Sequence, residues 1–455
     1  MSELVDARRV HVVGAGGAGM SSLAKLLAQM GHTVSGSDLK PSPALDALSD
    51  LGLKMWVGSR PQQAVASDLV VASSAVPPSD PELSAARAAG IEVWGRPELL
   101  AALTSRMPAV GISGTHGKTT STALAVTALR AAGRDPSFVL GGEITGLGTS
   151  AHLGERDLFV LEADEAFGTF LPLRLAGLLV TNVEADHLDY YHSLDRLEEA
   201  FAEVVGRVKG PVVVGVDNPG GRRLAEHTDA ATFGVSEGAT WRIVDLAWEP
   251  GGVRFTLQGP PGPVGVEVCR QGANMAGNAA GVLALLGECG HDLQRAARGL
   301  RDFGGVRRRF EVRGRIKGVT IIDDYAHHPT EVAAALQAAR RGSWHQVWAV
   351  FQPHRYSRTA ELHRQFGPAF AAADRVVVTD VYGAGEPPEP GVSGTLVAQA
   401  VVEATERPVA YLPHRADLAG YLAERVEPGD LVLTMGAGDI TLLPDELARQ
   451  LTGSR

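Results

Sequence analysis

Residues 114–120 read GTHGKTT, a glycine-spaced loop that presents Lys118 and two hydroxyls in succession. A lysine set among backbone amides at a strand-to-helix turn grips the β- and γ-phosphates of a nucleotide, and a hydroxyl directly after it ligates magnesium. The phosphate-contacting candidates are therefore Gly114, Thr115, His116, Gly117, Lys118, Thr119 and Thr120. The stretch GISGTHGKTTS departs from the commonest form of such a loop, because Ile112 stands where a glycine is expected five residues before the Gly-Lys pair. Two acidic stretches follow, LEADE at 161–165 and TNVEADHLDYY at 181–191, each at the end of an apolar run. In an open parallel sheet, ligands bind at the carboxyl ends of the strands, so Glu162 or Asp164, and Asp186 or His187, are expected to face the loop. Oxygen donors with one imidazole suit Mg²⁺ or Mn²⁺, so the metal candidates are Thr119, with Glu162 or Asp164 and with Asp186 or His187.

A second glycine turn, GAGGAG at 14–19, lies between a strand-like and a helix-like stretch, with Asp38 nineteen residues beyond Gly19. Gly14, Gly16, Gly17 and Gly19 would let a backbone approach a diphosphate closely. That pattern specifies a diphosphate and not a hydride, and a UDP-sugar carries one as a nicotinamide cofactor does. A dehydrogenase would rest on this turn alone and would leave the Lys118 loop and its carboxylates without a purpose. Further on, FQPHRYSRT at 351–359 places Arg355 and Arg358 three apart after a strand. If they open a helix they share a face, and two guanidinium forks can hold a carboxylate.

Holding these groups requires strands that end at them and helices that leave them. Strand-like and helix-like runs alternate through most of the chain, the pattern of α/β domains built on parallel sheets. Strands are expected at 8–16, 33–38 and 69–76, with a last strand and helix of that unit within 91–104, then at 109–114, 158–164 and 177–187, then at 345–351, 374–380 and 430–438. Residues 206–272 are richer in Gly and Pro, including GPPGPVG, and read as a small antiparallel piece. The expectation is three α/β domains: Rossmann-like at 1–107, a P-loop-type ATPase with a parallel sheet at 108–309, and Rossmann-like again at 310–455. A length of 455 residues is consistent with about three domains. The formal charge of −10, with no basic stripe, argues against nucleic-acid binding. Cys269 and Cys289 have no neighbouring His or Cys to complete a metal pattern, and are expected as buried thiols in a reducing compartment. The N-terminal stretch lacks a secretory apolar segment and no run reaches membrane-spanning length, so a cytoplasmic protein without membrane insertion is expected.

Ten stretches in register resemble the Mur ligases of peptidoglycan synthesis: VVGAGGAGMSSLAKLL, SGSD, SSAV, SGTHGKTTSTAL, EADE, TNVEADHLDYY, GVRRRFE, DDYAHHPTE, FQPHRYSRT and VYGAGE. The resemblance runs essentially end to end. It implies an ATP-dependent amide ligase that joins L-alanine to the lactyl carboxylate of UDP-N-acetylmuramate through an acyl phosphate. It further implies that Gly14, Gly16, Gly17, Gly19, Asp38, Ser73 and Ser74 meet the UDP-sugar, and that Lys118, Glu162 and His187 carry the catalytic work. Asn278 matches the adenine contact, Arg309 a phosphate contact and Asp324 a ribose contact, while His327, Arg355 and Arg358 match the alanine-carboxylate site. NVEADHLDYY and FQPHRYSRT favour the alanine-adding branch over the one that attaches a ready-made tripeptide. Two stretches depart from the family pattern. EADEAF has Ala166 and Phe167 where a serine and an aspartate are usual, and GANMAGNA has Asn274 and Met275 where His-Asn would precede the surviving Asn278. Phe201 stands where related ligases carry a carbamylated lysine, as in the alanine-adding branch, so no such lysine is expected.

Overall fold

The computed structural model describes residues 8–249, 251–272 and 274–453. The chain divides into two compact units. The first comprises residues up to Leu246 with Arg254–Cys269 and Ala276–Gly304, and the second comprises Ala247–Val253, Arg270–Met275 and the chain from Gly305.

The first unit opens on a five-stranded sheet of β1 (Arg9–Val13), β2 (Thr33–Asp38), β3 (Lys54–Val57), β4 (Leu69–Ala72) and β5 (Glu92–Gly95). The order is β3-β2-β1-β4-β5 and every pairing is parallel. That is the Rossmann order, with its topological switch at β1 and β4. β1 is buried from Val10 to Val13, as expected of a central parallel strand covered on both faces, with His11 buried among its valines.

Ten strands follow in one sheet: β6 (Ala109–Ser113), β7 (Pro136–Ile144), β8 (Thr149–His152), β9 (Glu155–Glu162), β10 (Gly177–Val180), β11 (Val212–Gly215), β12 (Ala231–Gly234), β13 (Trp241–Glu249), β14 (Gly252–Gln258) and β15 (Val264–Val268). Their order is β15-β14-β13-β12-β11-β10-β6-β9-β7-β8. Around the loop that matters, β10, β6 and β9 are parallel neighbours, so their carboxyl ends lie side by side. The expected antiparallel piece does not stand apart. β13, β14 and β15 extend the same sheet at its edge, joined by connections too short for a parallel crossover. At the other edge β7 and β8 form an antiparallel hairpin with a register shift, which the sequence did not announce. The helix Ala18–Gln29 leans on that hairpin: Ser22 Oγ donates to Leu140 O at 3.1 Å and lies 2.7 Å from Ser150 Oγ, and Lys25 Nζ donates to Thr149 Oγ1 at 2.6 Å.

The second unit holds β16 (Glu311–Ile316), β17 (Val319–Asp324), β18 (Val347–Phe351), β19 (Arg375–Val378), β20 (Val409–Tyr411) and β21 (Leu431–Met435) in the order β16-β17-β21-β18-β19-β20. β16 is antiparallel to β17 and the remaining pairs are parallel. The three sheets are thus the three α/β layers expected from the alternating pattern. Cys289 is half-buried but Cys269 is exposed, contrary to the expectation of two buried thiols, and both are free. Among the described residues no helix is long and apolar enough to cross a membrane.

Candidate active site

In the first glycine turn, Gly14 has φ +79°, and a Cβ there would come 2.9 Å from Ser73 Cβ. Only glycine fits beneath Ser73, which places that side chain over the turn, while Ser74 is exposed. Asp38 reaches back to the turn itself: its carboxylate accepts from Gly16 N at 2.9 Å and from Lys40 N at 3.2 Å. Gly14 and Ala15 N–H both donate to Ser37 O, and Gly17 N–H donates to Gly14 O. The amides of the turn are therefore engaged by the protein. The donors that helix geometry leaves without an intrahelical acceptor belong to the first turn of the helix, Ala18, Gly19 and Met20.

The Lys118 loop is bolted to the chain that follows β10. Thr115 N–H donates to Asn182 O, His116 N–H to Asn182 Oδ1, and Thr181 Oγ1 donates to His116 O. Thr115 Oγ1 accepts from Glu184 N at 2.9 Å. Gly114 and Gly117 lie at φ +119° and φ +86°. A Cβ on Gly114 would overlap Thr181 Oγ1, and one on Gly117 would come 2.5 Å from Asn278 Oδ1. Asn278 thus sits buried against the loop from the helix Met275–Glu288. The loop therefore turns tightly without the missing glycine, because Ile112 is a core residue of β6 and the left-handed steps fall at Gly114 and Gly117. Gly114→Ala is expected to destabilise the first unit by about 2–4 kcal/mol, from backbone strain plus overpacking. Urea unfolding would show this as a lower midpoint with an unchanged slope.

Lys118 opens the helix Lys118–Ala131 and folds back over its own loop. Its ammonium donates to Gly114 O at 2.8 Å, Thr115 O at 3.3 Å, and the two oxygens of Glu165 at 2.7 and 3.0 Å. Asp164 lies 3.8 Å away and also meets Arg96 at 3.4 Å. Burial works against the Lys118 charge, but Glu165, Asp164 and the more distant Asp186 outweigh it and hold the ammonium protonated. The two adjacent carboxyls move apart. Burial raises Asp164, yet Lys118, Arg96 and His187 draw it below its ordinary value, whereas burial pushes Glu165 above its own despite Lys118. His187 is left-handed at φ +56° and acts electrostatically on both carboxyls, so the structure brings it to the same place. Glu162 is buried at the end of β9 and accepts from Gly141 N at 2.9 Å. Thr119 is buried one residue past Lys118, and Thr120 is half-buried beyond it. Among the described residues no three His, Cys, Asp or Glu side chains gather into a cation cage. Magnesium held with nucleotide phosphates needs only one or two protein ligands, and the Thr119 hydroxyl and Glu162 carboxylate fit that chemistry beside the loop's glycine cradle.

In the second unit the candidates converge around three rings. Arg308 and Arg309 lie over Tyr325, with guanidinium carbons 4.9 and 5.0 Å from the ring centre. Tyr325 meets His327 edge-on at 5.4 Å, and His327 meets His354 at 5.9 Å. Arg358, buried in the helix Tyr356–Ala369, lies 3.4 Å from His354 Nδ1. Burial, then His327, Arg358 and Arg355, depress His354 to about 3, so its ring is neutral and can accept from Arg358. Asp324 ends β17 and accepts from Phe310 N and Ala326 N, both at 2.7 Å. Burial raises its carboxyl to about 6 against the pull of Arg309. His327 Nδ1 lies 3.3 Å from Glu331, which also faces Arg309 at 4.0 Å. Arg355 does not enter the helix as the spacing suggested. It is the N-cap, at φ +73°, and its Nε donates to Glu386 Oε1 at 2.6 Å. Phe167, His187, Arg308, Phe310 and Arg355, all left-handed and non-glycine, stand within these two clusters, where such strain concentrates in functional proteins.

Three family models align along the chain in order. The Mur ligase family catalytic domain matches residues 9–107, the Mur ligase middle domain 112–286, and the Mur ligase glutamate ligase domain 308–438. A UDP-N-acetylmuramate–L-alanine ligase of Rubrobacter xylanophilus is 43% identical over 451 residues, covering 97% of this chain and 100% of the relative. The chain belongs to the Mur ligase family. The corresponding ligase of Kineococcus radiotolerans is 44% identical over 455 residues, 97% of this chain and 96% of its own. Among solved structures, this Mur ligase is similar to a UDP-N-acetylmuramate–alanine ligase of Thermotoga maritima, with a TM-score of 0.85 and 26% identity over 98% of this chain and all of that one. A murein peptide ligase of Psychrobacter arcticus shares the fold at a TM-score of 0.75 and 23% identity, covering 98% and 99%.

Within this Mur ligase, the departures from family pattern have visible places. Phe167 is exposed and packs edge-on to Tyr190 at 6.1 Å, beside the Lys118–Glu165 pair. Phe201 is core, edge-on to Phe170 at 5.1 Å. Sequence reading passed over Glu165 as the direct partner of Lys118, Arg96 as the partner of Asp164, and Tyr191, whose hydroxyl donates to Glu165 O at 2.6 Å. Glu165 was within reach of inference, being part of LEADE. Arg96 was not, since nothing local in GRPELL marks it.

Proposed function

We propose that this Mur ligase joins L-alanine to the lactyl carboxylate of UDP-N-acetylmuramate at the expense of ATP. Residues 1–107 would bind the UDP-sugar, 108–309 the ATP, and 310–455 the amino acid. What carries the reading is the half-buried Lys118 ammonium, held by Glu165 and by two carbonyls of a left-handed glycine loop.

A carboxylate oxygen of the substrate attacks the γ-phosphorus and ADP leaves. The amine nitrogen of alanine then attacks the resulting acyl carbon, phosphate departs with the bridging oxygen, and the nitrogen loses a proton. The first step brings two anions together, so preorganised positive charge lowers its barrier. Lys118 would supply that charge from its place over the loop, turning from Glu165 and the loop carbonyls toward the γ-phosphate. Asn278 contacts the adenine, with Arg309 at a phosphate and Asp324 at the ribose. Thr119, Glu162 and His187 would hold magnesium, which would offset phosphate charge there. Arg358, with His327 and Arg355, holds the alanine carboxylate. The reading places the work in the cytoplasm, where ATP and the UDP-sugar are available.

Glu162→Gln and His187→Ala are each expected to raise the Mg²⁺ concentration needed for half-maximal turnover or to abolish turnover, since each removes one ligand. Titration of both variants with Mg²⁺ would check this, and parent-like curves for both would refute the assignment. The substrate claim is tested by phosphate release from ATP with UDP-N-acetylmuramate and each amino acid, or a ready-made tripeptide, in turn. Release with L-alanine as the preferred acceptor is expected, and a preference for the tripeptide would move the chain to the other branch.

A further inference from the structure

Arg96 stands at the start of the helix Arg96–Thr104, directly after β5. Its guanidinium lies flat against Gly19, where a Cβ would come 3.4 Å from Cζ and 3.6 Å from both Nε and Nη2. Gly19 is the second residue of the helix Ala18–Gln29, so a cation rests against the positive end of a helix. That arrangement is unfavourable unless an anion lies against both. The near carboxylate does not resolve it. Asp164 meets only Nη1, at 3.4 Å, and is shared with Lys118. Arg96 Nε is buried and makes no hydrogen bond. The turn's own amides, from Gly14 to Gly17, are meanwhile consumed by Ser37, Asp38 and Gly14. A diphosphate there would need donors from elsewhere.

We propose that Arg96 is a binding residue for the diphosphate of the UDP-sugar, gripping it jointly with the first-turn amides of Ala18, Gly19 and Met20. The inference rests on the reading of the substrate given above and adds a residue to it. Nε and Nη2 donate to the phosphate oxygens, and Nη1 keeps Asp164. Through Asp164 the same guanidinium is tied to Lys118, so a seated diphosphate fixes the distance between the sugar and the site of acyl activation.

The test uses the full chain and calorimetric binding of UDP, uridine and ATP to the parent, Arg96→Ala and Arg96→Lys, with steady-state kinetics alongside. Arg96→Ala should weaken UDP binding, and raise the KM for UDP-N-acetylmuramate, by about tenfold or more, as expected for loss of hydrogen bonds to a charged group. Uridine, which lacks the phosphates, should bind parent and variant alike, and ATP affinity should not change. Arg96→Lys retains the charge without the fork and should fall between the two, which keeps the test decisive if Arg96→Ala does not fold. Unchanged UDP affinity together with a reduced kcat would overturn the proposal, because Arg96 would then act only by holding Asp164. An equal loss for uridine and UDP would also overturn it, as a packing effect. If the parent itself binds neither UDP nor UDP-N-acetylmuramate, the substrate reading fails first and this inference falls with it.

Discussion

Lys118→Ala is expected to reduce ligation by about 10³-fold or more, the scale seen when a preorganised charge is removed from a transition state. The same change removes the partner of a buried carboxylate, since the Glu165 side chain is 1% exposed. Breaking a buried ion pair from one side costs about 3–5 kcal/mol, so the variant should also lose stability. Part of that loss is absorbed if Glu165 takes up a proton, which its raised pKa favours. The double variant Lys118→Ala/Glu165→Gln separates the two effects. It removes the orphaned charge, so its unfolding midpoint should recover toward the parent while ligation stays lost. Ligation in either variant within about tenfold of the parent would show that Lys118 is not the γ-phosphate group.

The second large effect is expected at Arg358. Alanine offers an amine, one methyl and one carboxylate, so most of its recognition must be charge-assisted pairing at the carboxylate. Arg358 is buried against a neutral His354, whereas Arg355 already gives its Nε to Glu386. Arg358→Lys keeps the charge and loses the bidentate geometry, which should weaken alanine by about 2–5 kcal/mol and appear as a steep rise in its KM. The KM values for ATP and UDP-N-acetylmuramate should move little. Alaninamide, lacking the charge, should be a poor substrate for the parent and lose much less on substitution. Equal losses for alanine and alaninamide would make the arginine structural.

What the sequence disclosed follows from what is local. A buried parallel strand, a glycine turn and a helix are encoded within some twenty consecutive residues, so the Gly14–Gly19 and Gly114–Lys118 turns were legible with their strands. The acids of EADE were legible because the end of β9 carries them toward the loop, whereas β10 stops at Val180, short of the strand expected to 187, and Asp186 and His187 lie on the segment beyond it. The β7–β8 hairpin was not, since its alternation is broken by Gly141 and Gly142 and its register shifts. Nor was the role of Asp38 in closing its own turn, which depends on its reach to Gly16. The pairing of Arg96 with Asp164 spans 68 residues and two sheets, and no periodicity carries such information. The N-cap position of Arg355 was hidden for a related reason: the Tyr382 carbonyl and Glu386 hold it there, and neither lies in its own segment.

The central claim is that the carboxylate of UDP-N-acetylmuramate is activated by phosphorylation before the amine attacks. UDP-N-acetylmuramate carrying ¹⁸O in both oxygens of the lactyl carboxylate, turned over with ATP and L-alanine, tests it directly. Mass analysis of the released inorganic phosphate should find one ¹⁸O per phosphate, because the bridging oxygen leaves with phosphorus when the amide forms. Phosphate free of ¹⁸O, with the amide formed in equal amount, would contradict the account.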